Sequence, residues 1–222
     1  MTEFHKKIAS AIKNYHNEII EFIQSAIHLP SLANNEGPVQ ELIAKKLSSF
    51  DLHVDHVPIH FETIKEHPAF YDDGFSPDSR YNIVGSWNNN GNGRSLILNG
   101  HVDVVPTGPQ ENWSGSPWSG SINKDRIYGR GACEMKDGLI SGIYALKILI
   151  ESGFKPNGNV QIQSVVGEES GGCGTLTNIV KGYTADGAII LEPTSLSICP
   201  IQSGALTFRN IINGRDTQDE TR

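Results

Sequence analysis

Val160-Gln161-Ile162-Gln163-Ser164-Val165-Val166-Gly167-Glu168-Glu169-Ser170-Gly171-Gly172 is the stretch on which the fold turns. The Val and Ile residues from Val160 to Val166 predict a buried strand, and the glycines that follow end it on two adjacent carboxylates. Downstream, Leu176 to Tyr183 is expected to be a helix and Gly187 to Leu191 a further strand. Upstream, Leu139, Ile140, Ile143, Leu146, Leu149 and Ile150 recur at helical spacing between Asp137 and Ser152, and Gly153 marks the end of that helix. The middle of the chain therefore alternates strand and helix, as in an α/β sheet covered by helices.

Working outward, Asn82 to Trp87 and Ser95 to Asn99 read as two strands. The run Asn88-Asn89-Asn90-Gly91-Asn92-Gly93 between them suits positive φ, which predicts a hairpin or at least close neighbours. From Phe4 to Ile27 the residues Ile8, Ile12, Tyr15, Ile19, Phe22, Ile23 and Ile27 form an amphipathic stripe that Pro30 stops. Pro38 opens a second helix that runs through Val39, Leu42, Ile43 and Leu47 toward Phe50, and a strand is expected from Leu52 to Ile59. The segment from His60 to Arg80 is rich in Pro, Asp, Gly and Ser without a period, so it reads as a surface loop with no legible function.

The 222 residues carry a formal charge of −7, with Lys and Arg scattered rather than gathered into a stripe, which argues against a nucleic-acid partner. The N-terminal segment is broken by Lys13, Asn14, His16 and Glu18 instead of forming an apolar signal core, and no apolar run reaches bilayer length, so no membrane partner is expected. Cys133, Cys173 and Cys199 are odd in number and form no C-x-x-C pair, which disfavours a disulfide framework or a structural zinc finger and points to a reducing cytoplasm.

Four strand or loop ends each present His or a carboxylate. In Asn99-Gly100-His101-Val102-Asp103, two residues apart in extended chain share a face, so His101 can offer a ring nitrogen to a metal while Asp103 orients the ring. Glu134 projects from the Gly-rich segment Tyr128 to Gly138 that leads into a helix. Glu168 and Glu169 follow the Val160 strand, where one carboxylate can bind an ion and the other reach its water, and Glu192 follows Ala188-Ile189-Ile190. Mixed His and carboxylate ligands suit Zn²⁺, Co²⁺ or Mn²⁺ in an open catalytic site. Each feature has an ordinary alternative, since a lone His-x-Asp is more often a hydrogen-bonded turn and a Glu-Glu pair is usually just solvated.

Taken together, Asn-Gly-His-x-Asp-Val-Val-Pro, Trp113 to Trp118 with its Ser-Gly-Ser-Pro core, Tyr-Gly-Arg-Gly-x-x-acid-Met-Lys, Gly-Glu-Glu-Ser-Gly-Gly and Glu-Pro-Thr resemble the M20 peptidase family of acetylornithine deacetylases, succinyl-diaminopimelate desuccinylases and aminoacylases, in order and separation, from about Pro30 to Gly204. That resemblance implies a zinc-exopeptidase-like mixed β-sheet flanked by helices, with residues 1–204 as the N-terminal part of a metal-binding catalytic domain. Residues 205–222 are expected to begin a lid or dimerisation domain, at which the chain is cut short. It also implies two metal ions in a full-length member. His101 and Glu192 would hold one, Glu169 the other, and Glu134 would bridge them, with Asp103 orienting His101 and Glu168 as general base. The implied substrate is a small N-acyl or N-formyl amine, and the implied partner is a second copy joined through the lid.

The sequence departs from this family at three points. The bridging residue is Glu134 where the family has Asp, Asp137 stands where the family has Gly after Met-Lys, and all eight histidines lie at or before His101. The family's later histidines have no counterpart here, and Gln218 stands near where the lid histidine is expected. The expectation is at most one firmly bound ion and turnover that is absent or impaired. The alternative is a non-catalytic remnant that binds metal or a partner without hydrolysis. A serine or cysteine hydrolase is disfavoured, because no His follows Cys133 or Cys173 and no Gly-x-Ser-x-Gly elbow is present, so those two cysteines read as small packing residues.

Overall fold

The helical stripe at the N-terminus folds as α1, Glu3–Ile27, capped by the Thr2 hydroxyl, which accepts the His5 backbone N–H. Pro38 sits in the first turn of α2, Gly37–Ser49, where its missing N–H costs nothing. Strand β1 is His53–Pro58, and the following segment contains one helical turn, α3, Phe61–Ile64, so the expected unbroken loop is corrected there. That turn forms because it buries Ile64 at 1% exposure and sets Phe61 edge-on to Phe70. Strands β2, Tyr81–Trp87, and β3, Leu96–His101, come next, then a small hairpin of β4, Ser121–Asn123, and β5, Arg126–Tyr128. Helix α4, Lys136–Glu151, strand β6, Val160–Val165, helix α5, Cys173–Val180, and strand β7, Gly187–Ile190, complete the elements of the described residues. The computed structural model describes residues 2–88 and 91–201. The expected lid segment 205–222, with Gln218, lies outside the described residues.

The main sheet has the order β1-β2-β6-β3-β7. Strands β6, β3 and β7 are parallel to one another, while β2 runs antiparallel to β6 and β1 to β2. The mixed sheet flanked by helices agrees with the sequence expectation. The expected β2–β3 hairpin does not form, because β6 lies between them and pairs with both. The Asn/Gly run instead meets the turn before β6, where the Gly93 N–H donates to the Asn157 carbonyl at 2.8 Å. Helix α5 starts three residues before its expected position and ends before Gly182, whose φ of 89° makes it the stop signal that apolar spacing alone overlooks.

Register decides which helix covers which face. Ile83 is level with Ser164, and Leu98 with Ile162, so these residues share one face. That face meets α2, whose Gln40 exchanges hydrogen bonds with Ser164, and α4, with Leu139 and Ile143 in the same core. The other face carries Asn82, Asn99 and Gln163. Their amides bond one another and α5: Asn82 Nδ2 donates to the Gly174 carbonyl and to Asn178 Oδ1, both at 2.8 Å. Asn82 Oδ1 in turn accepts the Val166 N–H at 3.1 Å, fixing the end of β6. No helix among the described residues is long and apolar enough to cross a membrane.

Candidate metal centre

Because β3, β6 and β7 are parallel, their C-terminal ends meet at one edge of the sheet, the position where α/β sheets place their ligands. His101 is the last residue of β3, Glu168 and Glu169 follow β6, and Glu192 follows β7. The loop before α4 brings Glu134 to the same place. His101 Nε2 lies 2.9 Å from Glu134 Oε1, 3.7 Å from Glu192 Oε1 and 3.8 Å from Glu168 Oε2. His101, Glu134 and Glu169 each offer one ligand atom, and these atoms all lie within 4.8 Å of one another. The structure thus brings together all five residues that sequence reasoning placed around an ion, with Asp103 directly behind.

The arrangement is braced from below. The His101 N–H donates to Met135 Sδ at 3.2 Å, tying the strand to the residue after Glu134. Helix α4 packs so closely on the chain leaving β7 that a Cβ at Gly138 would stand 2.1 Å from the Leu191 carbonyl oxygen, so only glycine lets Glu192 approach. Lys136, at 1% exposure, donates from Nζ to the carbonyls of Ala26 and Leu29, and burial pushes its pKa down to about 7.

Asp103 serves the site differently from a simple ring orienter. His101 Nδ1 is 2.9 Å from the Asp103 carbonyl oxygen but 3.6 Å from its carboxylate. The carboxylate oxygens instead accept the backbone N–H groups of Glu168, at 3.3 Å, and Glu169, at 3.0 Å. One residue therefore holds both the histidine strand and the paired-glutamate loop. Cys173 is buried as expected of a packing residue, whereas Cys133 is exposed and fills no core position, which corrects that expectation.

Electrostatically the centre is overfilled with acid. Burial opposes a charge on His101, but the hydrogen bonds and charges of Asp103, Glu134 and Glu168 outweigh it and push its pKa up to about 10. Burial, then the hydrogen bond and charge of Glu134, push Glu192 up to about 7. Burial raises Glu168 and Glu169 as well, with the His101 charge acting against it. Such a cluster is short of positive charge, and one imidazole among carboxylates is a donor set that fits a zinc-like divalent cation.

Sequence reasoning missed one element of this region. Arg80, Glu36 and Asp73 form a buried ion cluster beside the loop after β6, with Arg80 Nη2 2.9 Å from Glu36 Oε1 and Arg80 Nη1 2.9 Å from Asp73 Oδ2. The only available signal was an arginine closing a loop that holds several aspartates.

The sequence pattern described as Peptidase family M20/M25/M40 matches residues 97–210. Among curated proteins, the N-formyl-4-amino-5-aminomethyl-2-methylpyrimidine deformylase of Halalkalibacterium halodurans is 43% identical over 109 residues, covering 49% of this chain and 25% of that protein. A protein of Staphylococcus aureus strain Mu50 named "probable succinyl-diaminopimelate desuccinylase" is 29% identical over 201 residues, covering 89% of this chain and 45% of that protein. The chain thus spans less than half the length of these curated relatives. Among solved structures, the M20 family metallo-carboxypeptidase of Sulfolobus solfataricus aligns with a TM-score of 0.62 at 22% identity, over 86% of this chain and 37% of that one, a likeness of fold.

Proposed function

Since the chain belongs to peptidase family M20/M25/M40, whose pattern matches residues 97–210, we propose that it contributes the metal-holding half of a hydrolase that cleaves the amide bond of a small N-acyl or N-formyl amine. The observation that carries this reading is the convergence of His101, Glu134, Glu168 and Glu192 within 3.8 Å of His101 Nε2, with Glu169 in the same group. His101, Glu192 and Glu134 would hold at most one Zn²⁺ firmly, or Co²⁺ or Mn²⁺ in its place, with Glu169 on the side of a second ion. When bound, the ion supplies Lewis-acid polarisation of an amide carbonyl and acidifies water.

The remaining chemistry belongs to the protein. Glu168, a half-exposed carboxylate whose pKa burial raises, takes a proton from the attacking water and returns it to the leaving nitrogen. The C–N bond is exchanged for a C–O bond, and the products are a carboxylate and a free amine. Asp103 keeps Glu168 in place through its backbone amide rather than through its side chain. The relatives named as a deformylase and a desuccinylase support formyl and succinyl amides as the first substrates to assay.

A second reading, metal binding without hydrolysis, is favoured by one specific feature: the metal-ligand group among the described residues contains a single histidine. Calorimetric titration of the metal-free chain with Zn²⁺, run beside an assay for released amine from N-formyl and N-succinyl amines, separates the two. The hydrolase reading expects one tight binding event, lost in His101→Ala, and impaired amine release that Glu168→Gln abolishes. Tight binding with no amine release selects the second reading, and no binding sinks both.

A further inference from the structure

The segment from His60 to Arg80, for which the sequence suggests no role, lies against the loop that carries Glu168 and Glu169. Arg80 is buried at its end, with Nη1 on Asp73 Oδ2 at 2.9 Å and both Nε and Nη2 on Glu36 Oε1 at 3.1 and 2.9 Å. Asp73 Oδ2 accepts a second donor, the Ser170 hydroxyl at 2.9 Å, directly after Glu169. Tyr71 presses on the same loop, since a Cβ at Gly171 would stand 2.7 Å from Tyr71 Cδ1. The other hold on the loop is Asp103, which takes the amides of Glu168 and Glu169.

A buried ion cluster of this kind is a poor source of net stability, because desolvation of each charge offsets the attraction between them. Its distinctive product is geometry, since a planar guanidinium fixes the carboxylates it bridges. We infer that residues 60–80 act as a strap whose Asp73, locked by Arg80, is a positioning residue for the paired glutamates through Ser170. Asp103 sets the height of the two amides, and Asp73 sets the path of the chain after them. Together they decide where the Glu168 and Glu169 carboxylates stand relative to His101. This inference rests on the reading of that cluster as a cation site, but part of its test does not.

Ser170→Ala removes the hydrogen bond by which Asp73 holds the loop and leaves the Arg80 cluster and the Tyr71 contact in place. In the metal-free chain, amide hydrogen exchange at Glu168 and Glu169 is expected to speed up about tenfold, the equivalent of one hydrogen bond to a charged group, while amides of β6 and α4 keep their rates. Zn²⁺ affinity is expected to fall by about tenfold, on the same conversion, and Ser170→Thr, which keeps the hydroxyl, restores both. Unchanged exchange at Glu168 and Glu169, or a uniform acceleration across the sheet, overturns the strap. Local acceleration in a chain whose parent binds no Zn²⁺ upholds the strap and removes the metal reading instead.

Discussion

The Arg80 cluster and the His101 cluster both gather charge around residues 167–173, yet they settle it differently. In the first, the side chains of Arg80, Glu36 and Asp73 are at most 2% exposed, and the guanidinium bridges both acids. Burial raises the Glu36 pKa, with Arg80 pulling against it. In the second, only His101 and Asp103 are buried, and Glu134, Glu168 and Glu192 remain 45%, 49% and 32% exposed around a single imidazole. A buried cluster whose acids are bridged by one guanidinium is scaffold, whereas an open one with carboxylates crowded around a single imidazole is a seat for a cation.

The largest effect should come from unbalancing the scaffold. Arg80→Met strands two buried carboxylates and is expected to cost about 3–5 kcal/mol in urea denaturation, as breaking a buried pair does. Arg80→Met combined with Glu36→Gln and Asp73→Asn should regain most of that loss. Glu134→Gln in the metal-free chain removes one half-exposed acid and its ion pair with His101, and should change stability by less than about 1 kcal/mol. Equal costs for Arg80→Met and Glu134→Gln would erase the distinction between the clusters.

A second expectation concerns Asp103, the residue shared by strand and loop. Asp103→Ala should weaken Zn²⁺ binding by about 10–100-fold, the usual loss when support behind a ligand is removed. Because the Asp103 carboxylate accepts the Glu168 and Glu169 amides, the same variant should also speed exchange at those two positions. Weakened binding with undisturbed amides would return Asp103 to the simpler task of orienting His101.

What the sequence disclosed here follows from how far each signal reaches. Strand and helix identity in the stretch 136–191 is written in local apolar spacing, and the four acid- or His-bearing strand ends were legible because glycine and proline punctuate them. Strand order was not, because nothing local to Asn88–Gly93 says that β6, more than sixty residues later in sequence, will insert between β2 and β3. The Arg80 cluster was equally hidden, since its three members come from α2's N-terminal cap and two points of an irregular loop. Local periodicity carries no information about such long-range pairings. The double use of Asp103 needed coordinates, because a carboxylate's choice between a ring nitrogen and two backbone amides depends on differences of under 1 Å.

The third expectation is a cancellation. His101 has its folded pKa raised to about 10, so the folded chain binds more protons than the unfolded one above the ordinary histidine value, and stability falls as pH rises. Lys136 has its folded pKa lowered to about 7, so the unfolded chain binds more protons above that value, and stability rises with pH. Between about pH 7 and 9 the metal-free chain should therefore show a nearly flat stability profile in urea, the two opposing slopes each approaching about 1.4 kcal/mol per pH unit. His101→Ala should leave a rising profile and Lys136→Met a falling one. Parallel profiles for the two variants would show that the charges of the metal centre do not settle as described.

The smallest effect lies at the two ends of a single strand, and it tests the comparison at the level of one carboxylate. Asp186 precedes β7 and Glu192 follows it. Asp186 is exposed, and its Oδ2 accepts the Ser95 N–H at 2.7 Å and the Ser95 hydroxyl at 2.9 Å, which hold its pKa below the ordinary aspartate value. Glu192 sits among like charges and is pushed up to about 7. The signs are opposite. Asp186 contributes stability that is present above its unfolded pKa and lost as pH falls through its folded one, whereas Glu192 in the metal-free chain favours folding as pH falls below about 7. Carboxyl-carbon NMR titration of the metal-free chain should therefore find Asp186 titrating early and Glu192 late. Zn²⁺ should draw the Glu192 transition down while leaving Asp186 in place, because only Glu192 belongs to the cluster that lacks a cation. If both residues titrate in the ordinary carboxylate range, or if Zn²⁺ moves both alike, the surplus of acid around His101 is too well solvated to call for an ion.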